Sequence, residues 1–322
     1  MTRSNKPISL GYIGTGIAAR ELHWPVLAQL SDKFQVSAVC NRTRSKAENF
    51  ARLTNATQIY DTAGQLLNDK TIEAVIIAAP IELNFSLVTQ SLASGKHVMV
   101  EKPLAASLEQ AHQLVALEQQ TDKVTLVAEN FRYHPAFKEI ARIIEDGLIG
   151  EVFSFFWNGY NRLVPGDKYA TAWRLKNQYP GGYVMDGGIH NVAAIRLLFG
   201  ELETYKAQVR SVNPEIGTID TLNSLFTLQG GITGQLNLSF SANGYSENRL
   251  VILGSKGTIL FENDSVEVKS SHEVILSNTF DFFDSYRNQF DDFYTCIRTG
   301  KKPVSTFAQG VSDLEFMMQL IG

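Results

Sequence analysis

A short apolar run, Ile8–Ile13, breaks off directly into Gly14-Thr15-Gly16-Ile17-Ala18-Ala19 and then into a helical pattern. No other feature constrains the fold of this chain so tightly. A strand that turns into a helix through G-x-G-x-x-A needs glycine at Gly14 for the tight turn. It needs a second glycine at Gly16 so that the backbone can approach a pyrophosphate, and a small residue at Ala19 so that helix and strand pack closely. The helix start then offers unpaired N–H groups and the positive end of its dipole to phosphate. The motif alone is weak, but here it has the strand–turn–helix setting that dinucleotide binding requires.

The pattern that follows supports the same fold. Phe34–Cys40 reads as a second strand, 44–53 as a charged helix, and 74–79 (AVIIAA) as a central strand buried on both faces. Helices over 85–93 and 108–119 alternate with strands at 97–100 and 124–128. Strands alternating with helices predict a doubly wound parallel sheet. Past Asn130 the style changes. A helix over 135–145, a strand at 152–157, a loop rich in Gly, Pro and Tyr, and a helix from about 189 to 199 precede a run of strands. Gly230-Gly231 and Gly254–Gly257 mark turns among those strands, and helices over 283–298 and 307–320 close the chain. The expected fold class is therefore α/β: residues 1–129 form a dinucleotide-binding Rossmann domain. Residues 130–322 form an α+β domain with an open, mostly antiparallel sheet.

Composition narrows the function. A length of 322 residues suits two domains. A net charge of −4 argues against a broad attraction to nucleic acid or anionic membrane. No apolar run is long enough to span a bilayer, and Met1–Pro7 is polar. The two cysteines, Cys40 and Cys296, fit no metal or redox spacing, which points to a cytoplasmic protein with reduced thiols and no bound metal. Motifs for zinc hydrolysis, nucleoside triphosphate hydrolysis and serine hydrolysis are absent from the sequence.

The residues after the second strand bear on which dinucleotide is bound. NAD sites place an acid about 20 residues past the glycines, on the ribose 2′-hydroxyl. This chain has Asn41-Arg42-Thr43-Arg44 instead. Arg42 could clamp a 2′-phosphate bidentately, which favours NADP(H) over NAD(H). Asn41 could still bond a free hydroxyl, and Arg42 could stack on adenine or simply be solvated.

Further motifs, taken in order, resemble the glucose–fructose oxidoreductase/inositol dehydrogenase (Gfo/Idh/MocA) family across nearly the whole chain. They are Ala79-Pro80, Glu101-Lys102-Pro103, and Asn130-Phe131-Arg132-Tyr133-His134-Pro135. Trp173-Arg174, Gly181–His190 and Gly254–Thr258 follow. The resemblance implies an NAD(P)-dependent dehydrogenase or reductase acting on the CH–OH group of a sugar, cyclitol or related small molecule. It implies that Lys102 serves the active site and precedes a cis proline, Pro103, and that Asp186 and His190 bind substrate and relay its proton. Cofactor contacts are expected from residues 14–19, Asn41, Arg42, Ala79, Pro80, Glu101, Lys102 and Asn130. Substrate contacts are expected from Lys102, Arg132, Tyr133, Trp173, Arg174, Asp186 and His190. Relatives pair through the second-domain sheet, so a homodimer or homotetramer is expected. The chain departs from the family where Tyr183 replaces a third glycine, where Asn84 replaces a histidine, and where no acid follows His190. Those departures bear on the substrate rather than on hydride chemistry.

The residue types suit that chemistry. Oxidising an alcohol requires a group to take the hydroxyl proton as hydride leaves. A free lysine titrates near ~10.4, so a lysine base must have its charged form disfavoured by burial or a neighbouring cation. Asp186 and His190 stand at i, i+4 and share a helix face if the helix begins by about Asp186. In structural terms Asp186 can be a helix N-cap, His190 a packed histidine, and Arg132, Tyr133, Trp173 and Arg174 domain-junction packing or ion-pair groups. Two other functions stay open: a cofactor-sensing regulator on the same fold, and a reductase of aromatic dihydrodiols or tetrapyrroles.

Overall fold

The computed structural model describes residues 6–171, 175, 181–271 and 273–322. The chain forms two compact units. Residues 1–130 and 286–312 make the first, and residues 131–285 and 313–322 make the second.

In the first unit, β1 (Ile8–Ile13), β2 (Phe34–Cys40), β3 (Gln58–Tyr60), β4 (Ala74–Ile77), β5 (His97–Glu101) and β6 (Thr125–Ala128) form one sheet. Its order is β3-β2-β1-β4-β5-β6 and every pairing is parallel. β4 is buried at all its positions, as its Ala-Val-Ile-Ile sequence demands of a strand covered on both faces. Between the strands run a π-helical turn (Ala18–His23) leading into α1 (Trp24–Leu27), then α2 (Arg44–Thr54), α3 (Ala63–Asn68), α4 (Asn84–Ala93) and α5 (Leu108–Gln119). Starts are set locally. Thr62 and Gln65 form a capping box on α3, and the Ser107 hydroxyl caps α5. The predicted single helix after the glycine turn is thus a π turn followed by a short α segment. The short strand β3 and helix α3 carry too few apolar residues to show in the sequence pattern.

The first unit also contains a late segment of the chain. α8 (Phe283–Thr299) buries Phe290 and Phe293, whose rings lie 5.9 and 6.5 Å from that of Phe34. The Val127 N–H donates to the Ser305 carbonyl at 2.9 Å. The sequence boundary at 129/130 assigned all later residues to the second domain. It did so because periodicity reveals an apolar helix face but not the surface that covers it.

The second unit is built on an eight-stranded sheet of order β14-β13-β12-β11-β7-β10-β9-β8. Its strands are β7 (Val152–Tyr160), β8 (Leu202–Arg210), β9 (Thr221–Leu228), β10 (Thr233–Ser239), β11 (Glu247–Gly254), β12 (Thr258–Glu262), β13 (Ser265–Ser270) and β14 (Glu273–Thr279). All neighbours are antiparallel except β7 and β10, which pair in parallel. The glycines at 230 and 231 turn β9 into β10, and Asn263-Asp264 turn β12 into β13 with φ of 50° and 59°. Asn and Asp are the side chains that tolerate such angles in two-residue hairpins.

One sheet face is apolar. Phe155, Trp157, Phe226, Leu236, Leu250 and Ile252 alternate with outward residues and are buried. Burying each such side chain contributes about 1.5–3 kcal/mol. Helices α6 (Pro135–Glu145) and α7 (Gly182–Phe199) cover this face, with Phe137 5.7 Å from Trp157 and Phe199 4.3 Å from Phe155. The last helix, α9 (Phe307–Ile321), ends in this unit. Among the described residues no helix is long and apolar enough to cross a membrane.

Candidate active site

The strand order reverses between β1 and β4, and at that point the carboxyl edge of a parallel sheet opens a crevice for ligands. Because all six strands run the same way, their carboxyl ends share one edge. That edge carries Gly14 after β1, Asn41 and Arg42 after β2, Ala79 and Pro80 after β4, Glu101 and Lys102 at β5, and Asn130 after β6.

The glycine turn is held from below and open above. Gly14 has φ +93°, and a Cβ there would lie 2.3 Å from the Ala78 carbonyl oxygen, so only glycine fits. A Cβ at Gly16 would meet nothing within 4 Å. That open space on a backbone cradle fits a pyrophosphate drawn close to the main chain. Ala19 is fully buried, as the small third position requires. Ile17 and Ala18 continue the turn into the π-helical segment.

Asn41 braces this turn. Its Oδ1 accepts from the Thr15 N–H at 3.1 Å, and its Nδ2 donates to the Thr43 carbonyl at 3.1 Å. Arg44 is engaged elsewhere, with Asp61 at 2.6 Å and Glu48 at 3.2 Å. Arg42 is exposed and has no ion-pair partner among the described residues. An acid does stand near the end of β2: Asp61 follows β3, and Arg44 neutralises it. Sequence distance from the glycines concealed it, because β3 pairs beside β2 only in the fold.

Lys102 is half-buried in the bend after β5, and the Lys102–Pro103 bond is cis, as the family resemblance implied. Its neighbour Glu101 places a carboxylate oxygen 2.8 Å from His23 Nε2. Tyr12 Oη and His23 Nδ1 are hydrogen-bonded at 3.3 Å. Burial, reinforced by the nearby Glu101 charge, holds the Tyr12 phenol well above its usual range, so it stays protonated. Asn84 reaches the same bend and donates to the carbonyls of Glu101 and Pro103. In the sequence Asn84 stands out only as a departure from the family. His23 follows Gly14 by nine positions with no motif around it, so no local signal marked it.

In the second unit α7 begins at Gly182, not near 189, and Gly181 is its N-cap with φ +87°. Asp186 is thus interior to the helix rather than its cap. It lies one turn before His190, and the two share a face as the spacing predicted. Asp186 is buried and His190 half-buried. The early helix start hid in Gly181-Gly182, which reads as a loop. The His190 ring stacks on Phe131 at 4.9 Å and 26°, and Phe131 lies parallel to Trp157 at 6.4 Å.

Arg132 is buried and its guanidinium is paired with Asp313. Asp313 also meets Arg196, which Glu201 grips with both oxygens at 2.8 and 2.5 Å. The structure therefore commits Arg132 to an internal ion pair. Tyr133 is buried at 2% exposure. Trp173 and Arg174 lie outside the described residues. His134 caps α6 through Nδ1, accepting from the Ala136 N–H, and approaches Asp264 at 3.2 Å. Among the described residues no cluster of His, Cys, Asp and Glu is arranged to hold a metal ion.

Comparison with known proteins agrees with this arrangement. The family model described as an oxidoreductase family with an NAD-binding Rossmann fold matches residues 8–129. The model for the GFO/IDH/MocA C-terminal domain matches residues 137–260. An uncharacterized protein of Saccharomyces cerevisiae is 34% identical over 79% of this chain and 73% of its own. The NAD(+)-dependent scyllo-inositol 2-dehydrogenase of Bacillus subtilis is 25% identical over 84% of this chain and 81% of its own. A crystal structure of an oxidoreductase from Thermotoga maritima superposes with a TM-score of 0.92 and 35% identity, covering 98% of this chain and 96% of that one. With both halves matched in order, the chain belongs to the Gfo/Idh/MocA family of NAD(P)-binding oxidoreductases.

Proposed function

We propose that this oxidoreductase is an NADP(H)-preferring dehydrogenase or reductase of a sugar, a cyclitol or a related small polyol. The observation that carries this reading is the open cradle at Gly16 on the same sheet edge as the Lys102 bend. Residues 14–19 would hold the pyrophosphate, Arg42 the 2′-phosphate, and Ala79, Pro80, Glu101 and Asn130 the nicotinamide half. Bound there, a nicotinamide accepts or returns the hydride. The chain's own groups handle the proton: Lys102 Nζ takes it from the substrate hydroxyl or returns it to the carbonyl oxygen. Asp186 and His190 orient that oxygen and connect it to solvent. The relationship to an inositol dehydrogenase supports a polyhydroxylated ring as substrate.

The expected assembly is a homodimer or homotetramer. The outward sheet face, with Leu225 48% exposed and Phe156 and Leu260 half-buried, offers the apolar surface for it. A monomer by light scattering at micromolar concentration would refute that part.

The test is nicotinamide absorbance with scyllo-inositol, myo-inositol, D-glucose and D-xylose, run with NADP and NAD, for wild type and Lys102→Ala. Turnover that depends on Lys102 and is faster with NADP supports the reading. Undiminished turnover by Lys102→Ala, or preference for NAD, contradicts the corresponding part.

A further inference from the structure

The two carbonyls that flank Lys102 are both held by one side chain. Asn84 Nδ2 donates to the Glu101 oxygen at 3.0 Å and to the Pro103 oxygen at 2.9 Å. An amide NH₂ carries two donors, so one nitrogen serves both carbonyls. Asn84 is 1% exposed and is the first residue of α4, so its backbone is fixed by the helix. Its Oδ1 is buried and has no donor among the described residues, and the amide is held at this site through its nitrogen. His23 Nε2 lies 2.8 Å from the Glu101 carboxylate. The bend is therefore restrained on both flanks of the lysine.

We propose that Asn84 is a positioning residue for the reaction. By bridging the carbonyls on either side of Lys102, it fixes the backbone from which Nζ meets the reacting oxygen. This rests on the reading of Lys102 as the proton-transfer group. Neither aspartate nor leucine could replace the amide. Aspartate would set acceptors against acceptors, and leucine would leave both carbonyls unpaired. An imidazole at the same position could restore one of the two donors.

The test compares wild type, Asn84→Ala, Asn84→His and Lys102→Ala on whichever inositol or sugar the wild type turns over fastest. It records kcat, KM, NADPH affinity by fluorescence, and thermal melting. A second readout needs neither substrate nor cofactor: acetic anhydride labelling of Lys102 relative to exposed Lys46, read by peptide mass spectrometry. Misplacing a reacting group by about an ångström costs on the order of 10²-fold in rate, so Asn84→Ala should lose kcat by about that factor. KM and NADPH affinity should hold, labelling of Lys102 should move toward that of Lys46, and Asn84→His should recover part of kcat. Wild-type kcat in Asn84→Ala beside an inactive Lys102→Ala overturns the proposal alone. So does a loss of kcat matched by equal losses in NADPH affinity and melting temperature, with Lys102 labelling unchanged. Full activity in Lys102→Ala overturns the Lys102 reading, and this proposal with it.

Discussion

Removing the carboxylate of Asp313 should destabilise the second unit far more than an ordinary surface substitution would. The side chains of Arg132, Asp313 and Arg196 are 4%, 3% and 3% exposed, so three charges share one dry site. Arg196 keeps Glu201 when Asp313 is lost, and Glu201 is 48% exposed and well solvated. Arg132 keeps no directly paired carboxylate among the described residues, only the more distant charge of Glu201, and its Nε has no hydrogen-bond partner among them. Breaking a buried pair from one side costs about 3–5 kcal/mol, because the remaining charge stays desolvated. Asp313→Leu should fall in that range, and Asp313→Asn near its lower end, because the amide oxygen can still accept from Arg132. The double variant Asp313→Leu/Arg132→Met should recover most of the loss, since an apolar pair of similar volume is often neutral at such a site. Urea unfolding followed by circular dichroism and by the fluorescence of buried Trp157 would measure all three. A cost below about 1 kcal/mol for Asp313→Leu, the range of exposed pairs, would refute the reasoning. So would a double variant no better than the single one.

Further outcomes follow from individual groups. Burial, aided by Lys123, holds the His97 imidazole down to about 4 from 6.5, while its Nδ1 accepts from the Val124 N–H. Below pH 6.5 the unfolded chain takes up a proton that the folded chain refuses until about pH 4, so stability falls across that window and is flat above it. The loss is at most about 3 kcal/mol, reduced by the ring's partial exposure. His97→Asn, which preserves the acceptor, should flatten the urea midpoint between pH 7 and pH 4.5, and an unchanged slope would contradict the assignment. Arg42→Ala should raise KM for NADPH by roughly tenfold or more through loss of a charge-assisted contact, and leave KM for NADH unchanged. Equal effects on both cofactors would show that Arg42 does not read the 2′-phosphate. Burial, with Asp292 nearby, pushes the Cys296 thiol up to about 12, and burial raises Cys40 as well. Neither should react with a disulfide reagent at pH 8 until the protein is denatured, and a fast thiol in the native state would count against the buried placement.

Much of this molecule was legible in the chain because the signals were local. The turn at Gly14 and Gly16 announces itself through two glycines after an apolar strand, since the backbone angle and the open space are properties of those residues. The run at 74–79 announces a strand covered on both faces. The i, i+4 spacing of Asp186 and His190 fixes their common face once any helix includes both. What tertiary structure alone decided was which residues meet across long stretches of sequence. Asp61 reaches Arg44 only because β3 pairs beside β2. Arg132 is tied up by Asp313, 181 positions away, so a cation that reads as a ligand contact serves an internal pair. The aromatic face of α8 covers Phe34 in the first unit rather than any surface near it in sequence. Asn84 appears as a substitution in a motif until the fold sets its amide between two carbonyls 17 and 19 positions later. Local geometry is set by a few neighbouring side chains, whereas the pairing of distant polar groups is set by burial, which only the assembled fold defines.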